Sequence, residues 1–277
     1  MPAAPDQPPL TPQRALFRLD GRVALVTGAA GHLGQAIATG LAEAGARTIL
    51  VGRTEATLVA FAAELTGRGL TAETAICDVT QAAQIDALVA RIGDAWGGLD
   101  VLVNNAHAGR AGIMADSKKA DYLGAMEIAV AAAAEFVNAA HGLLRQAAAR
   151  SGDAAVINIS SMYGMVSPDP RVYGTSKMNN PPHYGAAKAA LIQYTRYAAC
   201  HLAPDGIRVN AISPGPFPPE AVCERDPAFC GKLIDKVPMG RLGKPDDLKG
   251  AAVFLASPAS RFVTGANLPV DGGWTAW

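Results

Sequence analysis

The sequence predicts an α/β fold, a doubly wound parallel sheet of about seven strands with helices on both faces, on three observations. From Arg22 onward, seven short runs rich in β-branched residues follow one another: "RVALVTG", "RTILVG", "TAICDV", "LDVLVNNA", "AAVINISS", "IRVNAIS" and "NLPVDGG". Ala-rich amphipathic segments, such as residues 33–44 and 81–96, lie between most of them. The runs are apolar on both faces, as strands covered by helices on either side must be.

Ahead of the first run, "MPAAPDQPPLTPQ" is rich in proline and poor in bulky side chains, so residues 1–16 read as a flexible tail. No basic stretch leads into an apolar one, so the tail does not read as a secretory signal. Residues 17–277 show no break in composition and read as one domain. With 50% hydrophobic residues, the chain can bury a sizeable core. Lys+Arg and Asp+Glu are each 24, so neither nucleic acid nor an anionic membrane is expected as a partner. No apolar run approaches the ~20 residues of a membrane span. The cytoplasm is the expected location. Cys77, Cys200, Cys223 and Cys230 follow no metal-ligand spacing and the five histidines do not cluster, so no metal is expected. Cys77 and Cys200 read as buried free thiols. Cys223 and Cys230 also read as free thiols, with oxidation as the alternative.

The first strand leads into "TGAAGHLG", a tight turn opening a helix. Gly28 stands where a turn needs positive φ, Gly31 where backbone approaches a pyrophosphate, and Gly34 where helix packs closely on strand. The helix start offers unpaired N–H groups and a positive dipole end to phosphates. Dinucleotide contacts are therefore expected from Gly28, Gly31, His32, Leu33 and Gly34. After the second strand come Gly52 and Arg53 rather than an acidic residue that would hold the adenosine ribose hydroxyls of NAD. A guanidinium suits a 2′-phosphate, so NADP(H) is favoured and NAD(H) remains the second option. A solvated surface charge and stacking on adenine are the competing readings of Arg53.

Further along, Tyr-x-x-x-Lys occurs twice, as Tyr173/Lys177 and Tyr184/Lys188. A free tyrosine titrates near ~10 and is no base at neutral pH. A lysine one helical turn away places an ammonium beside the phenolate and lowers that value.

Together, "TGAAGHLG", "CDV" (77–79), "NNA" (104–106), "NISS" (158–161), "YGAAK" (184–188), "GIRVNAISPG" (206–215), "GRLGKPDDL" (240–248) and "VTGANLPVDGG" (263–273), in this order, resemble the short-chain dehydrogenase/reductase family in its compact single-domain branch. The resemblance implies a seven-stranded Rossmann sheet, NAD(P)-dependent interconversion of alcohols and ketones, and a homotetramer or homodimer. It also implies adenine contacts from Asp78 and Val79, ribose contacts from Asn105 and Ala106, a substrate hydrogen bond from Ser161, and a nicotinamide-side turn at Pro214 and Gly215.

Four residues depart from the family pattern. His32 and His107 stand where glycines are common. Ala129 stands where an asparagine generally orders a proton-relay water, with Asn138 further along the same helix. Pro219 stands where a threonine often holds the carboxamide.

The flanks choose between the two Tyr/Lys pairs. Residues after Tyr184 run nearly twenty positions in helical rhythm without a proline, and Pro181 and Pro182 open them. Tyr173 lies between prolines that leave room for one short turn. Tyr184 and Lys188, with Ser161, are therefore the expected catalytic set, and both are also expected to touch the cofactor. Residues 167–182 read as a surface insertion near the substrate mouth, and residues 216–240 as a substrate lid without regular pattern until Lys232. Tyr173 and Phe217 are candidate substrate contacts, though a plain surface tyrosine and core packing explain them equally well.

The favoured function is an NAD(P)-dependent oxidoreductase using Tyr184 as acid and base on a secondary alcohol or ketone, with sugar-like or cyclic polyols preferred because "DGGWTAW" resembles sugar-acid members. The alternatives are a cofactor-sensing regulator without turnover and an NAD-assisted epimerase or lyase.

Overall fold

The computed structural model describes residues 12–109, 111–174, 176 and 179–277. Seven strands, β1 (Val23–Thr27), β2 (Arg47–Gly52), β3 (Ala72–Ile76), β4 (Val101–Asn104), β5 (Ala154–Ile159), β6 (Ile207–Pro214) and β7 (Asn267–Val270), form one sheet. Their order is β3-β2-β1-β4-β5-β6-β7, and every pairing is parallel. Each of the seven runs read from the sequence became a strand.

Alternation along β1 shows why the sheet is doubly wound. Val23 and Leu25 join a core with Ile92, Phe136 and Leu144, whereas Ala24 and Val26 join a second core with Ile37, Leu41 and Leu255. Side chains of successive strand residues point to opposite faces, so a strand apolar throughout needs a helical layer on each. The first layer comprises helices Ala82–Trp96, Ala132–Ser151 and Pro182–Leu202; the second, His32–Glu43, Glu55–Gly67 and Lys249–Ala256. Fully burying one such Leu, Ile or Phe contributes roughly 1.5–3 kcal/mol.

The chain builds outward from β1 to β3, then returns to place β4 on the other side of β1. Strand order reverses there, and an open sheet leaves a crevice beyond the strand ends at that point. At the opposite end, Asp153 bridges the buried guanidinium groups of Arg22 and Arg208 at 2.7 Å each. Burial alone would raise this carboxyl's pKa, but the two arginines outweigh it and hold it below its ordinary value.

Several expectations need correction. Residues 1–11 of the expected tail lie outside the described residues, and Gln13–Leu16 forms one helical turn that buries no side chain. The segment Lys119–Ser151 is, by length and composition, one helix apolar enough to cross a membrane. Its stripe of Ala133, Phe136, Ala140 and Leu144 nevertheless packs into the core. Cys223 and Cys230 form a disulfide rather than two free thiols, and free Cys200 is exposed rather than buried. Cys77 is free and buried.

The region expected to lack regular pattern before Lys232 contains two short helices, Glu220–Arg225 and Pro227–Ile234. Asp226 caps the second, accepting from the Phe229 N–H at 3.0 Å, with Pro227 in its first turn. The insertion repeats this device: Asp169 caps Pro170–Tyr173 and also meets Lys236 at 2.5 Å, tying insertion to lid. A third apolar cluster of Met162, Val172, Leu233, Val237 and Trp274 joins these segments.

Candidate active site

The glycine turn after β1 is shaped by close approach. Gly28 has φ +62°, in the left-handed region. A Cβ at Gly34 would stand 2.2 Å from the Gly28 carbonyl oxygen, so the helix His32–Glu43 can sit against the turn only with glycine there. Gly31 caps this helix with backbone alone, and no side chain competes for its first N–H groups. The Thr27 hydroxyl accepts from the N–H groups of Asn105 and Ala106 at 2.9 and 3.0 Å. The Asn105 amide in turn donates to the carbonyls of Thr27 and Gly28. The turns after β1 and β4 are thereby latched together across the crevice.

A cleft of about 520 Å³ opens here. Among the residues expected from the sequence, it gathers Gly28, Gly31, His32, Leu33, Gly34, Arg53, Asn105, Ser161, Tyr184, Lys188, Pro214, Gly215 and Phe217. Asp78, Val79 and Ala106 do not line it. Asp78 accepts from the backbone and hydroxyl of Thr80, which, with the nearby Arg53 charge, hold its pKa down. Arg53 is exposed at the end of β2, with Thr54 and Thr57 beside it along the cleft.

Ser161 lies two residues beyond the end of β5 in extended backbone, and its hydroxyl accepts from the Tyr163 N–H at 3.1 Å. Capping therefore coexists with a place beside Tyr184, whose pKa the Ser161 hydroxyl draws down by hydrogen bonding. Tyr184 and Lys188 lie one turn apart on the helix Pro182–Leu202, which opens at Pro181 and Pro182 as its prolines indicate. A Cβ at Gly185 would come 2.7 Å from the Tyr163 carbonyl, so a glycine lets this helix press against the segment carrying Ser161.

The electrostatics depart from the expected picture. Burial pushes the Tyr184 phenol above its ordinary value, and the opposing influence is Ser161 rather than Lys188. The Lys188 ammonium lies 5.8 Å from the Tyr184 ring centroid and donates to the Ile159 carbonyl at 2.7 Å. Only 4% exposed, it is itself pushed down to about 8 by burial. Two buried groups that both resist charging leave the phenol protonated at neutral pH.

Ala129 and Asn138 have different surroundings. Ala129 lies in a π-helical turn, Glu127–Ala131, and lines a small void with Asn104 and Lys188. Asn138 is exposed. Ile128, Ala129, Ala132 and Ala133 line that void from this helical segment, and none of them brings an amide there.

A second cavity of about 490 Å³ adjoins the cleft and shares His107, Tyr184 and Phe217 with it. Tyr173 lines this cavity but not the cleft; its hydroxyl meets that of Tyr163 at 2.9 Å. Lys177, its sequence partner, lies outside the described residues. His107, Asn180, His183 and Phe229 line the same cavity; Phe229, in the lid, reads from the sequence as apolar cover or core packing alike, whereas the two histidines and Asn180 were not among the expected site residues. Position offered a signal for two of them: His107 directly follows "NNA" and His183 directly precedes Tyr184.

Residues 28–275 match a family model described as Enoyl-(Acyl carrier protein) reductase. Galactitol 2-dehydrogenase (L-tagatose-forming) of Cereibacter sphaeroides is 36% identical over 95% of this chain and 99% of its own. The chain belongs to the short-chain dehydrogenase/reductase family. It is an NAD(P)-dependent enzyme of that family acting on CH–OH groups. Among solved structures, the Pseudomonas aeruginosa RhlG/NADP active-site complex superposes with a TM-score of 0.84 at 32% identity, covering 94% of this chain and 98% of that one. A gluconate 5-dehydrogenase from Burkholderia cenocepacia in complex with NADP and tartrate gives 0.84 at 33% identity, covering 95% and 99%. The short-chain dehydrogenase/reductase assignment accounts for the parallel sheet, the latched glycine turn and the Ser161, Tyr184, Lys188 grouping at once.

Proposed function

We propose that the protein interconverts a secondary alcohol and its ketone with NADP(H), using Tyr184 as the general acid and base. The observation that carries this reading is the position of Tyr184 between the cleft and the second cavity, with Ser161 beside its hydroxyl. The cleft fits a dinucleotide on its own geometry: the left-handed Gly28, a Gly34 that admits no Cβ, and an uncapped helix start. Gly28, Gly31, His32, Leu33 and Gly34 would hold the pyrophosphate, Asn105 a ribose, and Pro214 and Gly215 the nicotinamide end. Arg53, with Thr54 and Thr57, supports the 2′-phosphate of NADP over NAD. When bound, the nicotinamide supplies or accepts the hydride.

The chain's own residues handle the oxygen and its proton. Ser161 orients the substrate oxygen. Tyr184, protonated at rest, gives its proton to a carbonyl oxygen as the ketone is reduced and takes it back in the oxidation. Lys188 holds a positive charge close to the phenol and steadies the phenolate that remains. Phe217 and Phe229 cover an apolar part of the substrate, and the relatives acting on galactitol and gluconate support a polyol or sugar-like one.

A homotetramer or homodimer is part of the same proposal. An exposed apolar groove along Leu123, Met126 and Val130 supports it, and light scattering tests it. The cytoplasm is the proposed location. A panel of polyols, cyclic alcohols and ketones with NADPH, NADH and their oxidised forms tests the whole reading. Net cofactor turnover is expected, and its absence with every compound would favour a sensor or an epimerase.

A further inference from the structure

The second cavity carries polar groups that the proton chemistry does not use. His107 lines both the cleft and the cavity, and its ring meets the Tyr184 ring edge-on with centroids 4.9 Å apart. Among the described residues it has this ring contact and no hydrogen-bond partner. His183 is held edge-on by Tyr122 at 5.8 Å, and its Nδ1 has no partner. Asn180 Oδ1 is also unpaired. An exposed imidazole and two buried polar atoms without a hydrogen-bond partner thus stand on the cavity wall next to Tyr184.

We propose that His107 reads a second hydroxyl on the carbon next to the reacting one, with His183 and Asn180 extending that polar wall, so that the substrate is a vicinal diol or its α-hydroxyketone. This rests on the redox role of Tyr184 proposed above and narrows its substrate class.

The chemistry of the wall selects a hydroxyl. Burial, then the Lys188 charge, then His183 push His107 down to about 4, so the imidazole is neutral at physiological pH. A neutral imidazole has one N–H and one lone pair, and an amide likewise both donates and accepts. A hydroxyl satisfies each of them in either tautomer and either amide orientation. A carboxylate or phosphate only accepts, and neither the neutral His107 imidazole nor the Asn180 amide offers a charge to offset its desolvation.

Location selects the neighbouring carbon. The reacting oxygen lies between Ser161 and Tyr184, and the His107 ring touches the Tyr184 ring itself. The group within its reach is the next substituent along the substrate.

The test compares matched probes, cyclohexane-1,2-diol against cyclohexanol, with NADP⁺ and the full-length protein. Wild type is expected to favour the diol in kcat/KM by about tenfold, the effect of one good hydrogen bond. His107→Ala should lower kcat/KM for the diol severalfold more than for cyclohexanol, chiefly through KM, and His107→Gln, which keeps a donor and an acceptor, should restore part of the preference. Dinucleotide affinity of each variant reports its folding, and His107→Leu makes the same comparison should His107→Ala lose binding. Equal kcat/KM values in wild type, or a diol preference that survives in the alanine and leucine variants, overturn the proposal. If dinucleotide binds and neither alcohol nor any other is oxidised, the redox role of Tyr184 falls first and this inference with it.

Discussion

The ammonium of Lys188 donates to the carbonyl oxygen of Ile159, the last residue of β5, at 2.7 Å. The lysine is therefore anchored by the sheet and not by the phenol one helical turn before it. Because burial opposes its charge, its pKa falls to about 8 from 10.5. Between those values the unfolded chain holds a proton that the folded one has released, so stability at this site rises with pH across that window. Below about 8 the lysine is charged in both states and its contribution is constant.

Turnover runs the other way. The ammonium is lost as pH rises through about 8, so ketone reduction is expected to decline there. A kcat/KM profile for reduction should show an alkaline limb near 8. A limb appearing only near ~10, where ordinary lysines and tyrosines titrate, would contradict it.

Gly34→Ala places a methyl group 2.2 Å from the Gly28 carbonyl oxygen. Overpacking of this kind costs roughly 1–3 kcal/mol, and the displaced turn no longer presents its N–H groups. Denaturant unfolding and a dinucleotide titration should show both losses together. Intact binding would mean that the turn is not the pyrophosphate site.

Arg53→Ala removes the guanidinium at the end of β2. Losing a charged hydrogen bond worth about 1.5–3 kcal/mol raises KM for NADPH by roughly ten- to a hundredfold and leaves NADH nearly unaffected. Equal effects on both cofactors would assign Arg53 to the adenine or to solvent.

The Cys223–Cys230 disulfide closes a short loop with a sequence separation of 7. Loop-closure entropy for that size amounts to about 2.5 kcal/mol. Replacing both cysteines by serine should cost up to that much in unfolding free energy. It should also raise substrate KM more than cofactor KM, because Phe229, beside Cys230, lines the substrate cavity. Unchanged stability would mean that the two thiols are free in solution.

What the sequence made legible were features with a local cause. Strands apolar on both faces, a glycine turn between strand and helix, and a helix opened at Pro181 and Pro182 each follow from neighbouring residues. The lid helices were missed although Asp226-Pro227 is a start signal, because the stretch around it lacks an apolar rhythm. The exposure of Cys200 depends on how distant segments pack, and the disulfide on how two successive short helices meet, neither of which the spacing encodes. The same holds at the site. Two residues four apart on a helix were legible as a pair, but the turning of Lys188 toward Ile159 required the end of β5 to be in place. His107 and His183 flank known motifs, and only the folded cavity shows that both line one wall and that His183 Nδ1 lacks a partner.

The most direct test of the central claim compares Tyr184→Phe with Tyr173→Phe in turnover and dinucleotide affinity. The account predicts that Tyr184→Phe abolishes turnover, by a factor on the order of 10²–10⁴, while the dinucleotide still binds, and that Tyr173→Phe keeps most activity. Near-normal turnover in Tyr184→Phe together with a dead Tyr173→Phe would contradict it.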